Sequence, residues 1–166
     1  VRSLGPNVAR LKVLHFIDSL RVGGKERQAV ELLKGLCRSA EFDQILVCMD
    51  DDDFYVPEVR KLPVRIEFLI RKSRWDPLIF FRLYRTVSTF HPHIIHTNSW
   101  MTSFYALPIA KLFSIKLING SIRNAFSRGG TRWRLEKVLL YLSDYRLANS
   151  KAGLLSRGLT LDSPRN

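Results

Sequence analysis

The feature that most constrains the fold is a strand, a glycine turn and a helix near the start of the chain. Residues 11–17 form an apolar run whose valine, phenylalanine and isoleucine favour an extended strand. Gly23 and Gly24 follow in a polar turn, and apolar residues then recur at helical spacing as far as Cys37. Such a unit opens α/β domains of the nucleotide-binding type, because glycines admit a phosphate or sugar close to the backbone and a helix start is partly positive. The alternative is an ordinary tight turn.

The rest of the chain repeats this alternation of strands and helices. We predict strands at residues 11–18, 43–49, 64–70, 93–97, 116–119 and 145–148. We predict helices at residues 25–38, 76–90, 100–113, 131–143 and 149–158. In the second of these helices, the expected core contacts are Leu78, Phe81, Leu83, Tyr84 and Val87. The pattern predicts an α/β fold with a Rossmann-like open, mostly parallel sheet and helices on both faces.

Length and hydrophobic content fit one folded domain. The chain has 166 residues, 46% of them hydrophobic, and no apolar run approaches the roughly 18–20 residues that span a membrane. Residues 1–10 lack both an initiating Met and an apolar core. We expect them to be disordered or a remnant, and residues 11–166 to form the domain.

Neither the cysteines nor the acidic cluster indicates a metal. Cys37 and Cys48 are far apart and lack Cys-x-x-Cys spacing, so we expect buried thiols in a reducing cytoplasm. Residues 50–53 are four consecutive aspartates. A cation site or a ribose-binding acid is one interpretation, but repulsion among like charges favours a solvated loop. We expect no metal and no bound cofactor.

The chain is strongly basic, with 27 Lys and Arg against 15 Asp and Glu, a net charge of +12. Such a field attracts phosphates, nucleic acid or anionic membrane surface. No nucleic-acid-binding motif is recognisable, so we expect no nucleic acid partner. Basic residues next to an exposed aromatic are typical of a membrane interface, and the best candidates here for a membrane or acceptor patch are Arg71, Lys72, Arg74 and Trp75.

Three stretches carry a resemblance to a known family. They are residues 17–36, which include a Gly-Gly-x-Glu-Arg segment, 91–112 with His-Thr-Asn-Ser-Trp, and 145–159 with Ala-Asn-Ser-Lys-Ala-Gly. In order and spacing they resemble family-4 glycosyltransferases of the GT-B fold. The resemblance implies an N-terminal, acceptor-side domain whose donor-binding partner domain lies outside these 166 residues. It also implies that the piece alone is inactive.

The candidate site residues stand at predicted strand ends, where open α/β sheets bind ligands. The resemblance assigns Gly23 and Gly24 to the cleft, in contact with donor phosphate or acceptor. His96 matches the first histidine of the family's His-x-His pattern and is the catalytic candidate. Asn98 replaces the second histidine; it cannot act as a general base, but it can orient a sugar hydroxyl.

Two further strand ends contribute candidates. Arg123 follows the fifth strand and suits a phosphate, and Ser150, with Asn149 before it, matches the family's Asn-Ser. The alternatives are a surface arginine for Arg123 and helix capping for Ser150.

The resemblance implies a transferase that moves a sugar, hexosyl in type, from a nucleotide-sugar donor to a polysaccharide, lipopolysaccharide or glycolipid acceptor. It is most similar to bacterial enzymes of that kind, and we expect peripheral binding to the cytoplasmic face of the membrane. Two alternatives remain open. One is a non-catalytic module that holds an anionic polymer, and the other is a sugar-nucleotide epimerase of similar architecture.

Overall fold

Strands and helices alternate along the computed structural model, which describes residues 10–51, 54–126, 130–160 and 163–166. The strands are β1 (Leu11–Ile17), β2 (Phe42–Cys48), β3 (Arg65–Phe68), β4 (Ile94–Thr97), β5 (Lys116–Ile122) and β6 (Tyr145–Ala148). The helices are α1 (Gly24–Cys37), α2 (Val56–Val59), α3 (Leu78–Phe90), α4 (Trp100–Leu112), α5 (Thr131–Leu142) and α6 (Lys151–Ser156).

All six strands are parallel and stand in the order β3-β2-β1-β4-β5-β6. The predicted Rossmann-like fold class is therefore confirmed. From β1 the chain first builds outward through β2 and β3, then returns to the other side of β1 as β4. Loops leaving β1 and β4 consequently diverge, and the crevice between them is where such sheets bind ligands. In the β1–β4 pairing, His15 stands directly opposite His96.

Helices cover both faces of the sheet because side chains alternate along each strand. On one face, Ile17, Leu46 and Cys48 pack with Ala29 and Val30 of α1. The opposite face carries the larger core, which joins β1, β2 and β4 to α3, α4 and α5. Its most deeply buried large side chains include Leu14, Phe16, Ile45, Leu83, Ile95 and Tyr105. His15, at an odd position of β1 like Ile17, shares the face covered by α1.

The buried stripe of α3 differs from the prediction. Ile79, Leu83, Val87 and Phe90 are buried, whereas Leu78, Phe81 and Tyr84 are exposed by 47%, 60% and 43%. The buried residues recur at spacings of three and four, which defines a single stripe toward the sheet and α4. Apolar residues occur on both the buried and the exposed side of α3, so their spacing in the sequence does not indicate which side is buried.

Several element boundaries also differ, those of β3 and β5 among them. β3 is shorter than the predicted 64–70, and β5 continues three residues beyond the predicted end at Asn119. The extension, Gly120–Ile122, remains in the sheet through its pairing with β6, although its sequence is typical of a loop. The short helix α2 was not predicted.

The acidic cluster and the cysteines depart in part from expectation. Asp50 is not simply solvated, because Arg21 and Arg71 pair with it at 3.2 and 3.1 Å. Asp51 is exposed, and residues 52–53 lie outside the described residues, as do residues 1–9. Cys48 is buried as predicted, but Cys37 is only half-buried.

Neither a cluster of metal ligands nor a membrane-spanning helix is present in the part of the chain that the structure describes. Within it, no group of three or more histidine, cysteine or acidic side chains is placed to hold a metal ion. In the same residues, every helix is too short or too polar to cross a membrane.

Candidate functional site

A cavity of about 330 Å³ lies where β1, β4 and β5 end and α1, α4 and α5 begin. It therefore occupies the crevice that the strand order creates. Aromatic, amide, hydroxyl and charged groups line it together, among them Asp18, Asn98, Trp100, Ser121, Arg123 and Trp133. This mixture suits a polar ligand with ring faces better than an apolar one.

Asp18 joins the two sides of the crevice. The hydroxyl of Ser99 donates to Asp18 Oδ1 at 2.9 Å, and Lys25 Nζ donates to Asp18 Oδ2 at 2.5 Å. Ser99 also caps α4 by accepting from the backbone N–H of Thr102, whose own hydroxyl accepts from the Ser99 N–H. The β4–α4 turn is thus held to the end of β1 by a charged group.

The glycine turn is occupied by a side chain of the protein itself. Glu26 is buried, and its carboxylate contacts the position at which a Cβ on Gly23 would stand. The same carboxylate accepts from Ser19 Oγ at 3.2 Å and lies 3.5 Å from Lys25 Nζ. A side chain at residue 23 would therefore collide with the Glu26 carboxylate, so the buried position of Glu26 requires a glycine there. The negative charge of Glu26 lies at the partly positive start of α1. Next to it, a Cβ on Gly24 would meet nothing within 4 Å.

Arg123 extends from the end of β5 into the cavity, and its hydrogen-bond partners among the described residues are all neutral. Its Nη1 donates to Gln28 Oε1 at 2.5 Å and to Asn149 Oδ1 at 3.4 Å, and its Nε donates to the Asn98 carbonyl at 3.4 Å. Burial lowers its pKa, and the charge of Glu26 acts in the opposite direction. A half-buried guanidinium with neutral partners is suited to an anion.

The other charges of the cavity leave it net positive. Lys25 pairs with Asp18, and Arg157 pairs with Glu136 at 3.5 Å. Arg132, by contrast, stacks over the Trp100 ring, with its guanidinium carbon 5.0 Å from the centroid. Among the described residues that line the cavity, Arg132 and Arg123 are thus two cations in excess of the carboxylates.

His96 stands in the sheet next to Arg123 and is 8% exposed. Its Nδ1 is 3.3 Å from Nδ1 of His15, and the two rings meet edge to face. Burial, reinforced by the charge of Arg123, lowers the pKa of His96 to about 4. Burial and the charge of His96 together lower the pKa of His15 to about 3, and the nearby Gln44 side chain acts in the opposite direction. Both imidazoles are therefore neutral at neutral pH.

Asn98, which replaces the second histidine of the family pattern, lines the cavity. The residue is only 2% exposed, and its Oδ1 is buried without a hydrogen-bond partner. Buried polar atoms normally have partners, so this oxygen is a candidate for contact with a ligand donor. The Oγ of Ser121, which also lines the cavity, is buried and unpartnered in the same way.

Ser150 caps α6, since its hydroxyl accepts from the Gly153 N–H at 3.1 Å. The capping alternative is thus observed, and a ligand contact by Ser150 stays a prediction. The neighbouring Asn149 is linked to the cavity because its Oδ1 accepts a hydrogen bond from Arg123.

The predicted membrane or acceptor patch is divided in the structure. Arg71 pairs with Asp50 at 3.1 Å and is largely covered, whereas Lys72 and Arg74 are exposed. Trp75 is half-exposed and packs edge-on against Trp100, with ring centroids 5.7 Å apart. Because Trp100 lines the cavity, the patch adjoins the crevice.

Sequence reasoning missed several residues of this site. Asp18 and Lys25 flank the glycine turn and carry opposite charges, which is a weak indication of a pair. His15 interrupts an apolar strand, and a titratable side chain in such a strand is a better indication of a special role. Trp133, on α5, carried no recognisable signal.

The fold and the crevice define the chain as one half of a GT-B-type architecture. A model of Glycosyltransferase Family 4 matches residues 22–153, which is most of the chain. The chain therefore belongs to glycosyltransferase family 4. This match favours glycosyl transfer over the binding-module and epimerase alternatives. No curated protein matches the chain significantly.

Solved structures share the fold at low sequence identity. The apo lipopolysaccharide outer core galactosyltransferase WaaB is 13% identical, with a TM-score of 0.67 over 90% of this chain and 43% of its own. Anabaena HepE in complex with UDP and glucose is 14% identical, with a TM-score of 0.71 over 89% of this chain and 40% of its own.

An epimerase shares the fold as well. The UDP-N-acetylglucosamine 2-epimerase from Rickettsia bellii is 14% identical, with a TM-score of 0.63 over 92% of this chain and 43% of its own. This chain thus spans less than half the length of each of these proteins. The likeness at this identity defines the fold, while the family match distinguishes transferase from epimerase.

Proposed function

We propose that the complete protein transfers a sugar, hexosyl in type, from a nucleotide-sugar donor to a polysaccharide, lipopolysaccharide or glycolipid acceptor. The observation that carries this proposal is the coincidence of the family match with a polar, net positive cavity at the switch point of the sheet. WaaB and HepE, the latter with UDP and glucose bound, support a nucleotide-sugar donor.

The cavity supplies groups for both ends of such a reaction. Departure of a nucleoside diphosphate requires positive charge and hydrogen-bond donors, which Arg123 and Arg132 provide. The unpartnered Asn98 Oδ1 is placed to accept a hydrogen bond from a sugar hydroxyl. His96, the catalytic candidate, stands next to Arg123, whose charge contributes to its lowered pKa.

The glycine turn and α6 receive smaller roles. Gly24, with open space beside it, offers its backbone to a ligand, whereas the approach at Gly23 is occupied by Glu26. Ser150 acts by holding the start of α6 next to Asn149, a partner of Arg123.

Replacing Arg123 tests the proposal most directly. In the complete gene product, Arg123→Gln should reduce kcat/KM for transfer from a UDP-sugar by about 10- to 100-fold, because a charge-assisted contact to the diphosphate contributes about 1.5–3 kcal/mol. The matched control is Arg134→Gln, an equal charge change at an exposed position of α5. Equal activity of the two variants would argue against an anion at Arg123.

The chain of 166 residues should not turn over by itself, because GT-B enzymes place most of the donor site in a second domain. The measurement is release of UDP from UDP-glucose by this chain compared with the complete gene product. Turnover by this chain alone contradicts the assignment of an acceptor-side domain.

We also propose peripheral docking on an anionic bilayer at the cytoplasmic face of the membrane. Lys72, Arg74 and Trp75 are exposed beside the crevice, and Leu78 and Phe81 continue an apolar surface along α3. Each near-surface cation adds about 1 kcal/mol of attraction to anionic lipid. A lipid-linked acceptor bound there would enter the crevice past Trp100.

Vesicle co-sedimentation tests this docking. A Lys72→Glu and Arg74→Glu double variant should lose about 10-fold or more in affinity for phosphatidylglycerol vesicles, and salt should weaken binding of the unaltered chain. The control carries Arg38→Glu and Arg60→Glu, two charge reversals elsewhere on the surface. Binding that is insensitive to salt would contradict electrostatic docking.

A further inference from the structure

A line of polar side chains crosses the sheet beneath the cavity. It begins with Gln44 of β2, continues through His15 of β1 and ends with His96 of β4, whose Nε2 is next to the backbone of Gly120 in β5. These residues follow the spatial order of the strands. Gln44, His15 and His96 are all buried. The positions of their protons therefore depend on one another.

Two neutral imidazoles joined through their Nδ1 atoms share a single proton between those atoms. In the first arrangement, His15 donates from Nδ1, and His96 carries its proton on Nε2. In the second arrangement, His96 donates from Nδ1 and its Nε2 carries no proton, while His15 carries its proton on Nε2. The partners of His15 Nε2 therefore decide what His96 presents at its outer nitrogen.

Gln44 favours the second arrangement. His15 Nε2 and Gln44 Oε1 are both buried, and neither has a hydrogen-bond partner among the described residues. The Gln44 side chain is close enough to act on the pKa of His15, and a hydrogen bond from Nε2 to Oε1 would satisfy both atoms. The amide nitrogen of Gln44 is already directed to Cys37 Sγ, at 3.3 Å. The reverse arrangement would turn the amide and leave its oxygen facing a thiol, which is a weak donor.

The surroundings of the outer nitrogen favour the same arrangement. His96 Nε2 and Arg123 Nη2 lie 3.2 and 3.5 Å from the point where a Cβ on Gly120 would stand. The Arg123 guanidinium is a positively charged N–H donor. Such a group favours an Nε2 that presents a lone pair over an Nε2 that presents its own N–H. Because residue 120 has no side chain, both nitrogens can lie close to this point.

We propose that Gln44 and His15 are positioning residues, which hold His96 with its proton on Nδ1 and a bare Nε2 beside Arg123. His96 then serves as a hydrogen-bond acceptor for a hydroxyl of the sugar substrate whose charged group is bound by Arg123. This role rests on the proposed transferase function. The arrangement of protons does not, and it can be measured without turnover.

The test is multiple-bond ¹H–¹⁵N NMR on the chain labelled at histidine. The chain has four histidines, and variants His91→Gln and His93→Gln identify the other two. We expect His96 to carry its proton on Nδ1 and His15 on Nε2, each by about tenfold or more, since an unpaired buried polar atom is costly. A His96 proton found on Nε2 overturns the proposal.

A variant tests the part assigned to Gln44. Gln44→Leu should redistribute the His96 proton between both nitrogens, whereas Ser88→Ala, which removes a buried polar atom from α3, should leave it on Nδ1. An unchanged spectrum in folded Gln44→Leu overturns the role of Gln44. If that variant does not fold, the spectrum of the unaltered chain still decides the arrangement.

The proposal and the proposed function fail separately. A complete gene product that transfers sugar with the His96 proton on Nε2 overturns this inference alone. A chain with the expected protons whose complete gene product transfers no sugar from any nucleotide donor overturns the assigned role of His96 together with the proposed function.

Discussion

The start of α1 and the end of β5 both face the crevice, and both carry groups suited to an anion. At α1, the buried Glu26 occupies the space beside Gly23 and places a carboxylate at the positive end of the helix. At β5, Arg123 has a half-buried guanidinium whose hydrogen-bond partners are all neutral. One site is neutralised from within the protein, and the other retains its charge.

The comparison shows that a glycine turn before a helix does not by itself make a phosphate site. The turn has the sequence of one, but its charge is already balanced. The charge that has no hydrogen-bonded counter-charge among the described residues is that of Arg123, about a hundred residues later at the end of β5. The sequence pattern gives only a weak indication of a site there. An anion entering the crevice is therefore expected at Arg123 before the start of α1.

Acidification should have the largest effect, because the fold holds His96, next to Arg123, and its partner His15 neutral while the unfolded chain takes up protons on them. Burial lowers the pKa of His15 to about 3 and that of His96 to about 4, against 6.5 for an unperturbed histidine. Below 6.5 the unfolded chain therefore binds more protons, so stability is full above that pH and falls as the pH drops toward 4. Between pH 7 and pH 5 we expect a loss of about 3–4 kcal/mol in urea unfolding.

Two outcomes define that experiment. A chain with His91→Gln and His93→Gln should keep the same pH dependence, because these residues are outside the pair. Constant stability from pH 7 to pH 5 would show that the histidines are not held neutral.

Adding a methyl group at Gly120 should have the next largest effect. Its Cβ would stand 2.8 Å from the Thr97 carbonyl oxygen and 3.2 Å from His96 Nε2. Because the backbone of β4 cannot yield cheaply, Gly120→Ala should lower the free energy of unfolding by about 2–3 kcal/mol. Gly35→Ala, in α1 with nothing within 4 Å of the new atom, should raise it by about 0.5–1 kcal/mol. Equal unfolding midpoints for the two variants would disprove the crowding at Gly120.

Neutralising Glu26 would sharpen the comparison by making the α1 site resemble the β5 site. Glu26→Gln should cost about 1–2 kcal/mol of stability, because the carboxylate is paired with Lys25 and the helix start. It should also increase stabilisation by added pyrophosphate, measured as the shift in Tm. The control is Glu31→Gln on the exposed face of α1. An equal increase in the Tm shift with pyrophosphate in the control would show that Glu26 does not compete with an added anion.

Much of the fold was predictable because strands and helices alternate strongly in sequence. The six strands and five longer helices are confirmed, with boundary shifts where polar residues continue a strand. Gly120 and Ser121 belong to β5 through pairing with a distant strand, which local propensity does not encode. The predicted core contacts of α3 were right at Leu83 and Val87 and wrong at Leu78, Phe81 and Tyr84, because apolar residues occur on both sides of the helix.

The site was predictable in its positions but not in its contacts. Asn98 and Arg123, chosen by the rule that ligands bind at strand ends, both line the cavity, and their contact with a ligand stays a prediction. The pairing of His15 with His96 joins residues 81 apart and depends on strand order. Likewise, nothing in the glycine turn indicated that Glu26 would be buried inside it.

The line from Gln44 to His96, with Gly120 next to it, also has a consequence for how the sheet assembles. These residues come from four neighbouring strands, so the arrangement is complete only when β2, β1, β4 and β5 have aligned with the observed register. A slip of one residue in β1 would turn His15 to the opposite face, into the apolar core beside α3 and α4. The histidine pair thus penalises misaligned pairing during folding, a task separate from any contact with a sugar.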